Sequence, residues 1–189
     1  MTRPSILIAD DAATVRMLVE LELRPLLPGY GFRQADNGFR ALEQIAKEPP
    51  ALLLLDVAMP VLDGSAVLLV IKHALEFTSL RTGPDAIDES ARALASGQAL
   101  HGLSEAYASD LDYGPGRMKL GEIPPPIAWA ILSRPEIQRL PVVMLTSFAE
   151  EANQRRLAQM GPPDAMLTKP FDPGHAARVI KELIGRAGS

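Results

Sequence analysis

The residues best placed to do chemistry stand at the ends of apolar runs. Asp56 closes the unbroken stretch Ala51-Leu52-Leu53-Leu54-Leu55 and opens the string Asp56-Val57-Ala58-Met59-Pro60-Val61-Leu62-Asp63-Gly64. A carboxylate at the C-terminal end of a buried parallel strand lies where open α/β sheets build their sites, and Asp56 reads as a phosphate-accepting aspartate. Asp10-Asp11 and Thr146 follow similar runs, so three strand ends aim polar chemistry at one rim. The histidines, His73, His101 and His175, share no ligand spacing and read as structural or surface residues.

Strands and helices must alternate to deliver those ends together. Ser5-Ile6-Leu7-Ile8-Ala9 reads as a strand, and the segment from Asp11 to Arg24 carries Val15, Leu18, Val19 and Leu23 at helical spacing before Pro25 stops it. Gly31 to Ala35 reads as a second strand, Asn37-Gly38 as a turn, and Phe39 to Lys47 as a helix closed by Glu48-Pro49-Pro50. Ala51 to Asp56 is the third strand and Val142 to Leu145 the fourth. A helix from Glu150 to Met160, a short strand from Ala165 to Thr168 and a helix opened by Asp172-Pro173 and running to about Arg186 follow. This alternation predicts an α/β fold, a doubly wound five-stranded parallel sheet with its site at the carboxyl ends of the strands.

Composition narrows the function classes. A chain of 189 residues with 47% hydrophobic content can bury a full core, and its length suits one enlarged domain, residues 1-189. Lys and Arg total 19 against 23 acidic residues, for a net charge of -4 with no basic stripe, so no nucleic-acid partner is expected. The absence of cysteine excludes disulfide scaffolds and cysteine-ligated zinc. No apolar run approaches the roughly 20 residues that cross a bilayer, and the start carries no secretory pattern. No membrane insertion and a cytoplasmic location are therefore expected.

Four features in order, Asp10-Asp11, Asp56 with Met59-Pro60 and Asp63-Gly64, Thr146-Ser147, and Lys169-Pro170-Phe171, resemble the receiver domain of two-component response regulators, the family that includes the chemotaxis response regulator. The resemblance implies a flavodoxin-like strand order 2-1-3-4-5. It also implies a signalling domain, not an enzyme on other substrates, that takes its phosphoryl group from the phosphohistidine of a sensor histidine kinase or histidine phosphotransfer protein. Asp56 is then the phosphoacceptor. Asp11 and Asp56 would hold Mg2+ directly, Asp10 would act through water, and the Ala58 backbone carbonyl would complete a partly hydrated octahedral site. Lys169 would pair with Asp56 and then with a phosphoryl oxygen, and the Thr146 hydroxyl would donate to another. Clustered carboxylates repel one another without the metal, so upward-shifted, coupled titration is expected. Taken singly, Asp10-Asp11 also reads as a helix cap, Lys169 as a surface charge and Thr146 as a β-branched strand end. Two other classes stay open. A haloacid-dehalogenase-like phosphatase also uses Asp, Thr or Ser, Lys and Mg2+, but wants a second aspartate where this chain has Ala58. A receiver acting only as a phosphorylation-independent binding module is the other.

Departures from the family pattern are as informative as the match. Asp56 and Thr146 are 90 positions apart, where one helix, one short strand and two loops take about 25 to 35 residues. Ile87, Ala91, Leu94 and Ala95 share one helical face, as do Leu100, Leu103, Tyr107 and Leu111, so a helical insertion is expected at about 78-124, either a docking or dimerisation surface or an elaborated loop. Ser65 to about Phe77 and Ile127 to Arg134 compete to be the third receiver helix, and both are expected to contribute. A split near the start of that helix would put the insertion near the rim; a split near its end would hang it from the opposite face. Only 20 residues follow Lys169, so output through contacts with an unnamed downstream protein, or with a second copy of the chain, is expected. Met166 stands three before Lys169, where the family often has an aromatic switch residue; methionine repacks readily between two states. Ala58 and Phe148 occupy the positions that in the family modulate water attack on the acyl phosphate, and neither side chain can hold a water. The phospho-form is therefore expected to hydrolyse slowly, with Ala58→Asn shortening its lifetime in a mass-resolved decay; a lifetime of seconds that this substitution leaves unchanged would refute the expectation.

Overall fold

A computed structural model describes residues 3–72, 123–147 and 162–187. Five strands, β1 (Ser5–Ala9), β2 (Gly31–Ala35), β3 (Leu52–Asp56), β4 (Val142–Ser147) and β5 (Ala165–Lys169), form one sheet in the order β2-β1-β3-β4-β5, every pair parallel. The described helices are α1 (Ala13–Leu23), α2 (Gly38–Lys47), α3 (Gly64–Lys72), α4 (Pro125–Leu132), α5 (Pro135–Gln138) and α6 (Pro173–Ala187). This is the doubly wound α/β architecture that the alternating pattern predicts.

Side chains alternate across a strand, so each central strand feeds two cores. Leu7, Ala9, Leu53, Leu55, Val142 and Met144 face the layer of α2, α3, α4 and α5, where Leu42, Ile45, Leu68 and Ile131 close the packing. Ile6, Ile8, Leu52, Leu54, Val143 and Leu145 face the other layer, with Val19 and Leu23 of α1 and Ala176 and Ile180 of α6. A strand covered on both faces reads as a continuous apolar run instead of an alternating one. Each fully buried leucine of β3 contributes roughly 1.5–3 kcal/mol relative to exposure, which holds Asp56 rigidly at the strand's end.

Several boundaries move. The Asn37-Gly38 turn becomes a helix start: the Asn37 side chain accepts from the Arg40 N–H at 2.8 Å and Gly38 is the first residue of α2. Asp172 caps α6 as expected, its Oδ1 accepting from the His175 N–H at 2.6 Å. β4 extends through Ser147 and β5 through Lys169, so Thr146 and Lys169 lie within strands, not behind them. Both candidates for the third helix are helical, and both α3 and α4 pack against α2.

The helical insertion expected at about 78-124, apart from its last two residues, the helix at 150–160, His73, His101 and Phe148 lie outside the described residues. Lys72, the last residue of α3, donates to Asp164 Oδ2 at 2.6 Å and to the Leu140 carbonyl at 3.3 Å, and the same Asp164 oxygen accepts from the Val142 N–H at 2.8 Å. The chain thus leaves the described part of α3 at the N-terminal ends of β4 and β5, the edge of the sheet opposite Asp56.

Candidate functional site

The rim is built from backbone upward. Asp56 is the last residue of β3, and the loop behind it folds back so closely that the Gly64 N–H reaches the Val57 carbonyl at 2.9 Å. A Cβ at Gly64 would lie 2.0 Å from the Asp56 carbonyl oxygen, so only glycine fits. Asp63 starts α3 by accepting from the Ala66 N–H at 2.8 Å. The loop is also seated on α2, where the Gly38 N–H meets the Leu62 carbonyl at 3.0 Å and a Cβ at Gly38 would lie 2.2 Å from that oxygen. Between Pro60 and Leu62, whose N–H returns to the Pro60 carbonyl at 2.8 Å, Val61 sits at φ 68. That is a strained place for a β-branched residue.

Three charged side chains converge. Asp10, 1% exposed, accepts from the Ala12 N–H at 2.9 Å through Oδ1 and from Lys169 Nζ at 2.6 Å through Oδ2. Lys169 Nζ also donates to Asp56 Oδ1, so one ammonium joins the ends of β1, β3 and β5. Thr146, one residue beyond Leu145, the register partner of Asp56, is 1% exposed, and its Oγ1 has no hydrogen-bond partner among the described residues. A buried hydroxyl left unpaired costs roughly 1–3 kcal/mol, so the site is short of one acceptor. Asp11 and Ala58 are exposed, Met166 is 37% exposed, and His175 is exposed at the start of α6.

Sequence reasoning missed Arg16 and Gln34. Arg16 Nη1 donates to the Asp10 carbonyl at 2.6 Å and to the Asp11 carbonyl at 3.1 Å, and its Nε donates to Gln34 Oε1 at 3.2 Å. Gln34 Nε2 continues to Glu20 Oε2 at 2.7 Å, and Glu20 pairs with Arg24. A polar residue on a helix and another on an edge strand carry no sequence signal of such a connection.

Electrostatics follow from the geometry. Burial pushes the Asp56 carboxyl above its ordinary value, the nearby Asp10 and Asp11 charges add to the rise, and Lys169 opposes it without cancelling it. Burial by itself would lower the Lys169 ammonium, but the two carboxylates outweigh it and hold Lys169 above its ordinary value. Hydrogen bonds from Gln34 and Arg24 overcome a burial effect of opposite sign and keep Glu20 below its ordinary value.

Among the described residues no three His, Asp or Glu side chains form a ready metal cage; Lys169 stands between Asp10 and Asp56. The donors nevertheless suit a hard cation that keeps several waters, since Mg2+ needs only one or two carboxylates beside water and phosphate oxygens. Repulsion of Asp56 by Asp10 and Asp11 is the kind of unbalanced charge that such an ion relieves.

Residues 6–81 match the family model of the response regulator receiver domain. Over 71 residues the chain is 39% identical to the chemotaxis protein CheY of Bacillus subtilis (strain 168), covering 36% of this chain and 56% of that protein. It is 40% identical over 68 residues to the sporulation initiation phosphotransferase F of the same organism, covering 36% of this chain and 53% of that protein. Hybrid signal transduction histidine kinase F of Dictyostelium discoideum is 36% identical over 90 residues, 48% of this chain and 8% of that protein. The chain spans less than two thirds of the length of each of these relatives. Among solved structures, the receiver domain of Francisella response regulator 1452 superposes with a TM-score of 0.55 at 17% identity, covering 97% of this chain and 98% of that one. A CheY-like receiver domain protein from Methanospirillum hungatei JF-1 gives 0.54 at 18% identity, covering 99% and 98%. The family match ends before β4 and so does not reach Thr146 or Lys169.

Asp56→Asn is expected to raise the thermal unfolding midpoint at neutral pH without divalent cations. Burial and the neighbouring Asp10 and Asp11 charges hold the Asp56 carboxyl above its ordinary value, so its ionised form is disfavoured in the folded state and stability falls as pH rises from the ordinary aspartate range through the raised value. At this chain length each kcal/mol relieved raises the midpoint by roughly 2–4 °C. The gain should shrink as pH falls toward and below the ordinary aspartate range, and a gain that is the same at neutral and acid pH would contradict the assignment.

Proposed function

This chain carries a response regulator receiver domain of two-component signalling, and from that premise we propose that Asp56 accepts a phosphoryl group from the phosphohistidine of a sensor histidine kinase or histidine phosphotransfer protein. An Asp56 carboxylate oxygen attacks phosphorus, the phosphorus–nitrogen bond of the donor breaks, and its electron pair stays on the imidazole, which takes up a proton. The product is an acyl phosphate on Asp56. Asp10, Asp11, Asp56 and the Ala58 carbonyl are the groups that would hold Mg2+, which neutralises charge on the phosphoryl oxygens when bound.

The unpartnered Thr146 hydroxyl carries this reading. It is buried, adjacent in register to Asp56, and among the described residues lacks an acceptor, which a phosphoryl oxygen would provide. Lys169 already touches Asp56 and can transfer its hydrogen bond to the incoming group, where a charge-assisted bond is stronger than a neutral one. Phosphorylation would then draw Thr146 and Lys169 inward and change the surface that β4 and β5 present. Output would pass through protein contacts. Met17, Leu18 and Leu21 of α1, at 65%, 53% and 70% exposure, and Met166 at 37%, are apolar groups at which partners can seat.

Incubation with Mg2+ and a small phosphodonor, followed by intact mass, tests the proposal. One phosphoryl group should be gained, lost with hydroxylamine and absent in Asp56→Asn. Unmodified protein, with or without Mg2+, would favour a phosphorylation-independent binding module, and steady turnover of small phosphoesters would favour a haloacid-dehalogenase-like phosphatase.

A further inference from the structure

The loop between β1 and α1 carries two of the three rim carboxylates and is fixed by more bonds than a turn of its length needs. The Asp10 N–H is held by the Ala35 carbonyl at 3.1 Å, and the Ala12 N–H closes on Asp10 Oδ1 at 2.9 Å. The carbonyls of Asp10 and Asp11 both accept from one guanidinium nitrogen, Arg16 Nη1, at 2.6 and 3.1 Å. Arg16 is fixed in turn by Gln34 on β2, which is fixed by Glu20. Every link is a hydrogen bond between groups whose own positions are set by α1 or the sheet.

We infer that Arg16 is a positioning residue of the phosphorylation site: it holds the main chain of Asp10-Asp11 in the orientation that Mg2+ requires, and Gln34 holds Arg16. This inference rests on the proposed function. The physical reason is the stringency of the ion. Mg2+ demands near-ideal octahedral geometry and short bonds, so carboxylates on a loose loop bind it poorly even when their charge is right. Arg16 suits the task because a planar guanidinium can serve two acceptors in fixed directions while also bonding Gln34, which a lysine ammonium on a flexible stem cannot reproduce.

Geometry and charge predict opposite results. A guanidinium near the rim repels a divalent cation, so if Arg16 acted only through its charge, Arg16→Gln would bind Mg2+ more tightly. If it acts through geometry, Arg16→Gln and the charge-preserving Arg16→Lys should both weaken Mg2+ binding, by about ten-fold for the former and less for the latter, which keeps one contact.

The experiment is calorimetric titration of the full chain with MgCl2, beside hydrogen exchange of the Ala12 amide without metal. Gln34→Met serves as a second variant that leaves the rim's own residues unchanged, and should weaken Mg2+ binding by a few-fold. Faster Ala12 exchange in Arg16→Lys together with weaker Mg2+ binding would support the inference. Mg2+ binding within two-fold of the parent in all three variants, or tighter binding in Arg16→Gln, would overturn it, as would Ala12 exchange unchanged in all of them. A parent chain that binds no Mg2+ but shows the Arg16-dependent Ala12 exchange would instead overturn the metal-dependent reading of the site, leaving only a loop clamp.

Discussion

A single ammonium shared by two carboxylates is the interaction on which the rim depends. Lys169 cannot neutralise both Asp10 and Asp56, and Asp11 adds a third negative charge nearby. Burial first, and the Asp10 and Asp11 charges after it, hold Asp56 above its ordinary value despite direct contact with Lys169. Thr146 adds a shortage of the opposite kind, a donor without an acceptor among the described residues. A cation and a phosphoryl group together would correct both: the cation supplies positive charge to the carboxylates and the phosphoryl oxygens supply acceptors to Thr146 and Lys169. Under the proposed function, phosphorylation would thus give the site interaction energy that the unmodified rim lacks.

Maintaining such an imbalance requires a rigid frame. Leu52 to Leu55 are wholly buried, and the alternating faces of β1, β3 and β4 tie both helical layers to the strands that end at the rim. The loop behind Asp56 is seated against glycines at 38 and 64, whose missing side chains let backbone approach backbone. At the other edge, Lys72 fastens the end of α3 to the β4 and β5 entrances through Leu140 and Asp164. The chain leaves the described core there, so the chemistry and the departure toward the longer segment occupy opposite edges of the sheet.

The parts legible in the sequence were those with a one-dimensional signature. A parallel strand buried on both faces is an unbroken apolar run, and its end faces the site; that rule locates Asp10, Asp56 and Thr146, while the strand order comes only from the family resemblance. Strand ends were less legible, since Thr146 and Lys169 look like residues after a strand when polarity alone marks the boundary, yet both make register pairs within it. Asn37-Gly38 reads as a turn in the sequence because a helix cap and a turn use the same residues; only the bond to the Arg40 N–H separates them. The doubling of the third helix was visible as two competing segments. Arg16, Gln34 and the strained Val61 were not visible, because their roles depend on three-dimensional neighbours and no periodicity marks them.

The most direct measurement is the 1H–15N NMR spectrum of the chain titrated with Mg2+ and beryllofluoride, a stable stand-in for the phosphoryl group on a carboxylate. If an acceptor at Asp56 completes the rim, the Thr146 and Lys169 amides should shift together, saturate at one equivalent and stay unmoved in Asp56→Asn. Shifts that spare Thr146, or that survive in Asp56→Asn, would contradict the account.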